Sequence, residues 1–235
     1  MASPTIPTDL KSRLQASYNA IAPKYNDWTT SHASTKLHYL SLLLSHLDPP
    51  STNKEKTPIS VLELGCGHGL PVTQKLLETP HINVTANDLS TTQLSLARSN
   101  LSTSHPTSIE NNRLNLIAGD MLSLTFPPAS FNAVVGMYSL IHLPRDEQVV
   151  LLGKIATWLK PGGFLLANFA AEESEGSEIQ KWLGEEQGWM FWSGWGSEGT
   201  VERIQKAGLG VLVREEVVDH DTVGVSFLWV LARKE

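Results

Sequence analysis

Ile59-Ser60-Val61-Leu62-Glu63-Leu64-Gly65-Cys66-Gly67-His68-Gly69 joins a short apolar run to three glycines at alternate positions. A run of this length and character, closed by glycine, reads as a buried parallel strand. Leu70 to Glu78 then reads as a helix, so the glycines occupy a strand-to-helix turn. Glycine there permits a tight turn and lets the backbone approach a ligand closely. Taken alone, the tight turn would explain them equally well. The spacing narrows the ligand. A dinucleotide fingerprint GxGxxG needs a glycine at position 70, where this chain has Leu70 followed by Pro71. A P-loop is excluded too, because no Gly-Lys-Ser/Thr follows.

Outward from this turn the chain alternates. Ile82 to Asp88 reads as a strand and Thr91 to Leu101 as a helix, with Ser90 and Gln93 as its capping box. Leu114 to Ala118 and Phe131 to Met137 supply two more strands. Asp146 to Leu159 reads as a helix whose apolar face is Val149, Leu152, Ile155, Ala156 and Leu159, and Phe164 to Phe169 as the next strand. After a stretch rich in Glu, Gly and Trp (Glu172 to Gly199), a helix from about Glu198 to Ala207 precedes strands near Leu209 to Val217 and Val223 to Leu231, with Asp219 to Asp221 in the turn. Upstream, a helix from Asp9 to about Asn26, broken near Pro23, and a second from Thr35 to Leu47 precede a polar linker, Asp48 to Pro58. Pro4 and Pro7 mark a frayed start. Strands alternating with helices imply a doubly wound parallel sheet, with a hairpin adding an antiparallel strand at its edge.

Acidic residues follow at the ends of the next two strands. Asp88 lies 23 residues beyond Gly65 and can accept both hydroxyls of a ribose, or serve simply as a helix N-cap. Asp120 stands in Gly119-Asp120-Met121, after the third strand. The loop, with Glu63 two positions before Gly65, resembles the first motif of the class I S-adenosylmethionine (SAM)-dependent methyltransferases. Gly136-Met137-Tyr138-Ser139-Leu140-Ile141-His142-Leu143 and Leu159-Lys160-Pro161-Gly162-Gly163 are similar to later motifs of the same family, in the same order. The likeness covers about Val61 to Phe169 and is strongest with the type 11, ubiquinone-biosynthesis-like group that acts on small molecules. It implies a Rossmann-like α/β fold, a seven-stranded sheet of order 3-2-1-4-5-7-6, with an N-terminal helical cap (1–50), a cofactor-binding core (59–169), a lid (170–200) and a C-terminal helix and hairpin (201–235), all one domain. It places Asp88 on the SAM ribose with Leu89 beside the adenine, and Asp120 and the Met121 backbone at the adenine amino group. Glu63, Gly65, Cys66, Gly67, Gln93 and Met137 complete the expected cofactor set, with Tyr18 and Tyr25 from Tyr18-Asn19-Ala20-Ile21-Ala22-Pro23-Lys24-Tyr25-Asn26, which resembles a helix that folds over bound SAM in that group. Each tyrosine would serve equally well as core packing under a cap.

Methyl transfer from a sulfonium is an in-line displacement, so alignment and exclusion of water can supply much of the rate. A base is needed only for a protonated acceptor. His142 is the candidate base, with Tyr25 and Tyr138 as alternatives, although His142 could equally hold a loop. Trp182, Trp189, Phe191, Trp192 and Trp195 are a local aromatic enrichment. Tyr138, His142, Trp189 and Trp192 are the expected acceptor pocket, suited to an aromatic ring or, through cation–π attraction, to an amine. The blander reading is a hydrophobic lid. Glu172, Glu173, Glu175 and Glu178 read as a solvated charge run.

Composition sets the remaining bounds. The chain has 235 residues, of which 41% are hydrophobic and 18% charged, as in a globular protein. Its formal charge of −6 and lack of a basic stripe argue against a nucleic-acid partner. One cysteine, Cys66, allows no internal disulfide, and its thiol is expected to be inert. No metal-ligand spacing, secretory signal or membrane-length apolar run is visible, so no metal, no membrane partner and a cytoplasmic location are expected. The oligomeric state is left open. The expected function is transfer of a methyl group from SAM to a small molecule, releasing S-adenosylhomocysteine (SAH). The rivals are a non-methylating reaction on the same fold, a non-catalytic SAM-binding partner subunit, and a nicotinamide oxidoreductase.

Overall fold

A computed structural model describes residues 6–48, 57–218 and 224–235. Most of the expected linker, the frayed first residues and the Asp219–Asp221 turn lie outside them. The elements are α1 (Leu10–Trp28), α2 (Ala33–Leu47), β1 (Ile59–Leu64), α3 (Val72–Leu77), β2 (Ile82–Asp88), α4 (Thr91–Ser104), α5 (Pro106–Glu110), β3 (Leu114–Ala118), β4 (Phe131–Gly136), α6 (Arg145–Trp158), β5 (Leu159–Ala170), β6 (Glu173–Gln180), β7 (Trp189–Trp195), α7 (Gly196–Lys206), β8 (Leu209–Val218) and β9 (Ser226–Lys234).

Seven strands form one sheet in the order β3-β2-β1-β4-β5-β9-β8. Numbered within that sheet alone, the order is the expected 3-2-1-4-5-7-6. Strands β1 to β5 run parallel to one another, and β9 runs antiparallel between β5 and β8. Helices cover both faces, which is why the central strands are apolar at consecutive positions. Val61, Val84, Val135 and Leu166 point to the side of α2, α3 and α4, where Leu40, Leu43, Leu76 and Leu101 pack. Leu62, Val134, Leu165 and Val230 point to the side of α6 and α7, against Leu151, Ile155 and Ile204.

Three expectations about elements need correction. First, α1 is not broken at Pro23 but runs through it. An interior proline costs roughly 3 kcal/mol; here Leu14, Ile21 and Ala22, in the turns before it, are buried, while Pro23 itself faces solvent. Second, the buried face of α6 is Gln148, Leu151, Leu152, Ile155 and Trp158, and Val149 is 43% exposed. The face includes a polar residue: Gln148 donates to the Leu143 and Ser193 carbonyls, a burial that apolar spacing does not register. Third, the tryptophan-rich stretch is a β-hairpin, β6 paired antiparallel with β7, in a separate two-stranded sheet. It packs on α1 through Trp189, Met190 and Phe191 against Leu10, Leu14 and Ile21. Within it, Glu173 pairs with Arg145 and Glu178 accepts from the Trp189 indole, so the glutamate run is partly tied down. Among the described residues no helix is long and apolar enough to cross a membrane.

Candidate functional site

The glycine turn opens at the C-terminal end of β1. Gly65, Gly67 and Gly69 all have positive φ (74°, 56° and 81°), where side chains are strained. They are not equivalent in space. A Cβ on Gly65 would lie 2.4 Å from the Ser139 Cβ, so that glycine serves close packing between the β1 and β4 turns. A Cβ on Gly67 would meet nothing within 4 Å, and that residue borders a cavity.

The wall of this first cavity includes Gly65, Cys66, Gly67 and His68 from the turn, Asp88, Leu89 and Gln93 from the β2–α4 junction, and Gly119, Asp120 and Met121 after β3. Met137, Tyr138, Ser139 and His142 come from the segment after β4. The N-terminal helices contribute Lys11, Leu14, Tyr18, Tyr25, Thr29 and Lys36. Of the expected cofactor residues, only Glu63 is off this wall. It is buried behind the turn, where its Oε2 accepts from the Thr73 hydroxyl at 2.6 Å. Burial pushes its carboxyl up to about 7, against the opposing pull of the Thr73 hydrogen bond and Lys36. Cys66 is on the wall, but burial holds its thiol well above the usual range, in the protonated form.

Asp88 accepts the Gly67 N–H with Oδ2 and the Ser90 N–H with Oδ1, both at 2.8 Å. The carboxylate thus ties the glycine turn to Ser90, the N-cap residue of α4. Burial raises it to about 6 in spite of those two bonds. The capping box is half formed. Ser90 Oγ accepts the Gln93 N–H, but the Gln93 side chain turns away to donate to Asn26 at 3.0 Å. Asp120 Oδ1 accepts the Leu122 N–H and faces Lys11 at 3.3 Å, and Lys11 also meets Glu147 at 2.7 Å.

Polar side chains of α1 hold it across this cavity. Gln15 donates to the Leu89 carbonyl, and Asn19 Oδ1 accepts from the Ser90 hydroxyl and the Thr92 N–H. None of Lys11, Gln15, Asn19, Asn26 or Lys36 was expected from the sequence. Spacing marks apolar faces, and only a Lys or Asn already known to face a glycine turn would have stood out. Lys36 is the notable case. Burial lowers its ammonium to about 8, with Glu63 opposing, and its Nζ lies 5.3 Å from the centre of the Tyr138 ring.

A second cavity adjoins the first. Tyr18, Tyr25, Tyr138 and His142 line both. Trp28, Ile141, Ala170, Trp182, Trp192 and Phe227 are among the remaining walls, so the hairpin supplies much of it. Trp192 therefore lines this space as expected, but Trp189 does not. It is three residues away, on the opposite side of a strand whose side chains alternate. Trp189 is buried against α1, with its backbone N–H on the Ser17 hydroxyl and its ring under the Arg13 guanidinium.

His142 sits where the cavities meet. Its Nδ1 is 2.8 Å from the Phe191 carbonyl, which can only accept, so Nδ1 carries the proton. Nε2 is then an acceptor and receives the Tyr18 hydroxyl at 2.8 Å. Burial drives the imidazole down to about 4, the Phe191 bond opposing, so the ring is neutral. Burial also raises the Tyr18 phenol well above its usual value and pushes Tyr25 up to about 12. Tyr138 has φ 57°, a strained conformation for an aromatic residue, while its N–H donates to Asn168 Oδ1 at 2.6 Å. Among the described residues no group of three or more His, Cys, Asp or Glu is placed to hold a metal ion.

Residues 61–163 match the family described as a methyltransferase domain. Over that stretch, a little less than half of the chain, it is similar to the class I SAM-dependent methyltransferases. A malonyl-[acyl-carrier protein] O-methyltransferase of Halalkalibacterium halodurans is 28% identical over 125 residues, 53% of this chain and 44% of that protein. The chain spans less than half the length of the curated methyltransferases it matches. In fold it is similar to the Burkholderia thailandensis 1,6-didemethyltoxoflavin-N1-methyltransferase, solved with 1,6-didemethyltoxoflavin and SAH bound. The TM-score is 0.71 at 21% identity, over 100% of this chain and 92% of that one. The [4+2]-cyclase SpnF has a TM-score of 0.70 at 17% identity, over 99% of each chain. SAM is the cofactor of this family of methyltransferases.

Proposed function

We propose that the chain transfers a methyl group from SAM, held in the first cavity, to a small molecule held in the second. The observation that carries this is the shared wall: Tyr18, Tyr25, Tyr138 and His142 line both spaces, so two ligands would meet there. The first cavity fits SAM in the chemistry of its walls. Gly67 leaves room for a ligand beside the turn, Asp88 offers a carboxylate for ribose hydroxyls, and Asp120 with Met121 can face an adenine edge. At another part of the same wall Lys36 is a buried cation suited to the methionine carboxylate. Glu63, off the wall, acts through Thr73 and Lys36 instead of touching the ligand.

When bound, SAM supplies an electrophilic methyl group on a sulfonium that leaves as neutral SAH. The chain's part is to align, to exclude water and to receive a proton. Helix α1 and the β6–β7 hairpin cover the two cavities as cap and lid of a single domain. Tyr18 can accept a proton from the acceptor while passing its own to His142 Nε2, whose far side is held by the Phe191 carbonyl. His142 is thus the base through Tyr18, and Tyr25, packed edge-on to Tyr18 at 5.0 Å, aligns that phenol. A small acceptor fits a space walled on several sides better than a nucleic acid does, and the acidic chain adds to that reading. The single cysteine suits a reducing, cytoplasmic compartment.

Calorimetric titration with SAM and, separately, with NAD tests the assignment. Micromolar SAM binding with no NAD response is expected. Folded, ligand-free protein that ignores SAM would overturn it.

A further inference from the structure

The second cavity has a chemistry of its own. Tyr25, Trp28, Tyr138, Trp182, Trp192 and Phe227 form most of its aromatic surface. Neighbouring rings meet edge to face: Trp28 and Trp182 at 5.4 Å and 82°, Trp182 and Trp192 at 5.0 Å and 77°, Tyr138 and Phe227 at 5.0 Å and 79°. Rings set at right angles make corners, which offer a flat guest one face to stack on and one edge to abut.

Charge is the second feature. Among the described residues lining this cavity there is no lysine or arginine, and the one carboxylate, Glu172, is exposed. The remaining polar groups are the hydroxyls of Ser174, Ser177, Ser193 and Ser226, the Tyr25 and Tyr138 phenols, the indole N–H groups of Trp28, Trp182 and Trp192, and the Tyr18–His142 pair. Lys36 lines the first cavity only, where Glu63 and the proposed carboxylate answer its charge. An anion buried among these rings would be desolvated with no counter-ion among the described lining residues. A cation would find no buried carboxylate among the described lining residues, and with SAM bound it would also face a sulfonium across the shared wall.

The third feature is directional. The Tyr18 hydroxyl already donates to His142, so toward a guest it can only accept. A guest that bonds to Tyr18 must therefore bring a proton.

Building on the two-cavity reading, we propose that the acceptor is an uncharged, flat aromatic molecule that presents an O–H or ring N–H to Tyr18. Because burial holds His142 at about 4, the pair is a weak proton sink. It suits the more acidic phenolic or heteroaromatic proton over that of an aliphatic alcohol.

Three probes of one ring system test this: 2-naphthol, 2-naphthoate and 2-naphthylmethylammonium, titrated into SAH-saturated protein. The neutral naphthol is expected to bind at least tenfold tighter than either charged analogue. Trp182→Ala should weaken naphthol at least tenfold and leave SAH affinity unchanged, since Trp182 lines only the second cavity. Ser174→Lys, which adds a cation to the wall, should shift the preference toward naphthoate. Naphthoate or the ammonium binding as well as naphthol overturns the proposal, as does failure of all three probes while SAH still binds. Failure of SAH itself brings down the cofactor assignment, and this inference with it.

Discussion

The two cavities share four side chains and little else. The first is walled by backbone turns and charged groups, with Asp88, Asp120, Lys11 and Lys36 distributed around it. The second is walled by aromatic rings and serine hydroxyls. The first is built at the C-terminal ends of β1, β2, β3 and β4, where a parallel sheet opens its crevice. The second depends on α1 and the β6–β7 hairpin, which lie outside the main sheet and touch each other through Trp189, Phe191, Leu10 and Leu14. The lesson is a division of labour. A ligand common to a family is held by the sheet and its turns, and the ligand that distinguishes one member is held by what is laid over them.

The sharpest way to break that division is at Asp88. It holds the Gly67 and Ser90 N–H groups and is the carboxylate proposed for the ribose. Asp88→Ala should weaken SAM binding about a thousandfold, since hydrogen bonds to a charged group contribute about 1.5–3 kcal/mol each. The pH dependence has a definite sign. Both oxygens accept, and accept strongly, only when the group is ionised, and in the ligand-free protein it protonates near 6. Affinity measured by calorimetry should therefore fall as pH drops through 6 in the wild type and stay flat in the variant. A thousandfold loss of acceptor-probe binding to the SAH-free variant would show that the cavities are not separable.

At the shared wall the expected effect is smaller and falls on rate. Tyr18→Phe and His142→Asn should each lower kcat about a hundredfold, the usual range for a lost proton acceptor, with SAH affinity changed less than threefold. The double variant should be no worse than either single one, because the two act in series. Additive losses would mean that His142 and Tyr18 work independently, and unchanged kcat would leave His142 as a strut for the hairpin through Phe191.

How much of this was legible in the sequence follows the same division. The strands and the glycine turn were readable because buried parallel strands and tight turns leave local signatures, whereas the sheet order and the expected roles of Asp88, Asp120 and Met137 came with the family resemblance. The hairpin was not. Its strands are Glu173–Gln180, polar and mostly exposed, and Trp189–Trp195, dense in aromatics, so neither shows clean alternation of polar and apolar residues. Trp189 and Trp192 look alike in sequence and part company only once the strand's two faces are known. Gln148 and Glu63 misled for a related reason. Each is a polar residue buried by a partner distant in sequence, Ser193 and Thr73 with Lys36 respectively, and no local pattern records such partners.

Lys36 offers the most delicate test, because it belongs to the overlay and yet faces the family ligand. It rises from α2 into the first cavity, and the carboxyl that opposes its loss of charge is Glu63, beneath the glycine turn. Lys36→Met keeps the length and the apolar stem while removing the charge. It should weaken SAM at pH 7 about tenfold, the lower end for a charge-assisted hydrogen bond. The same variant should leave 5′-methylthioadenosine unaffected, since that molecule lacks the amino-acid end. In the wild type the ammonium loses its proton near 8, so SAM affinity should fall as pH rises above 8, while methylthioadenosine affinity should not. Binding should also draw a proton from solution in that range, because a carboxylate partner raises the lysine's pKa. Equal losses for both ligands would make Lys36 a support for Glu63 and the turn, and the overlay would then act on the acceptor alone.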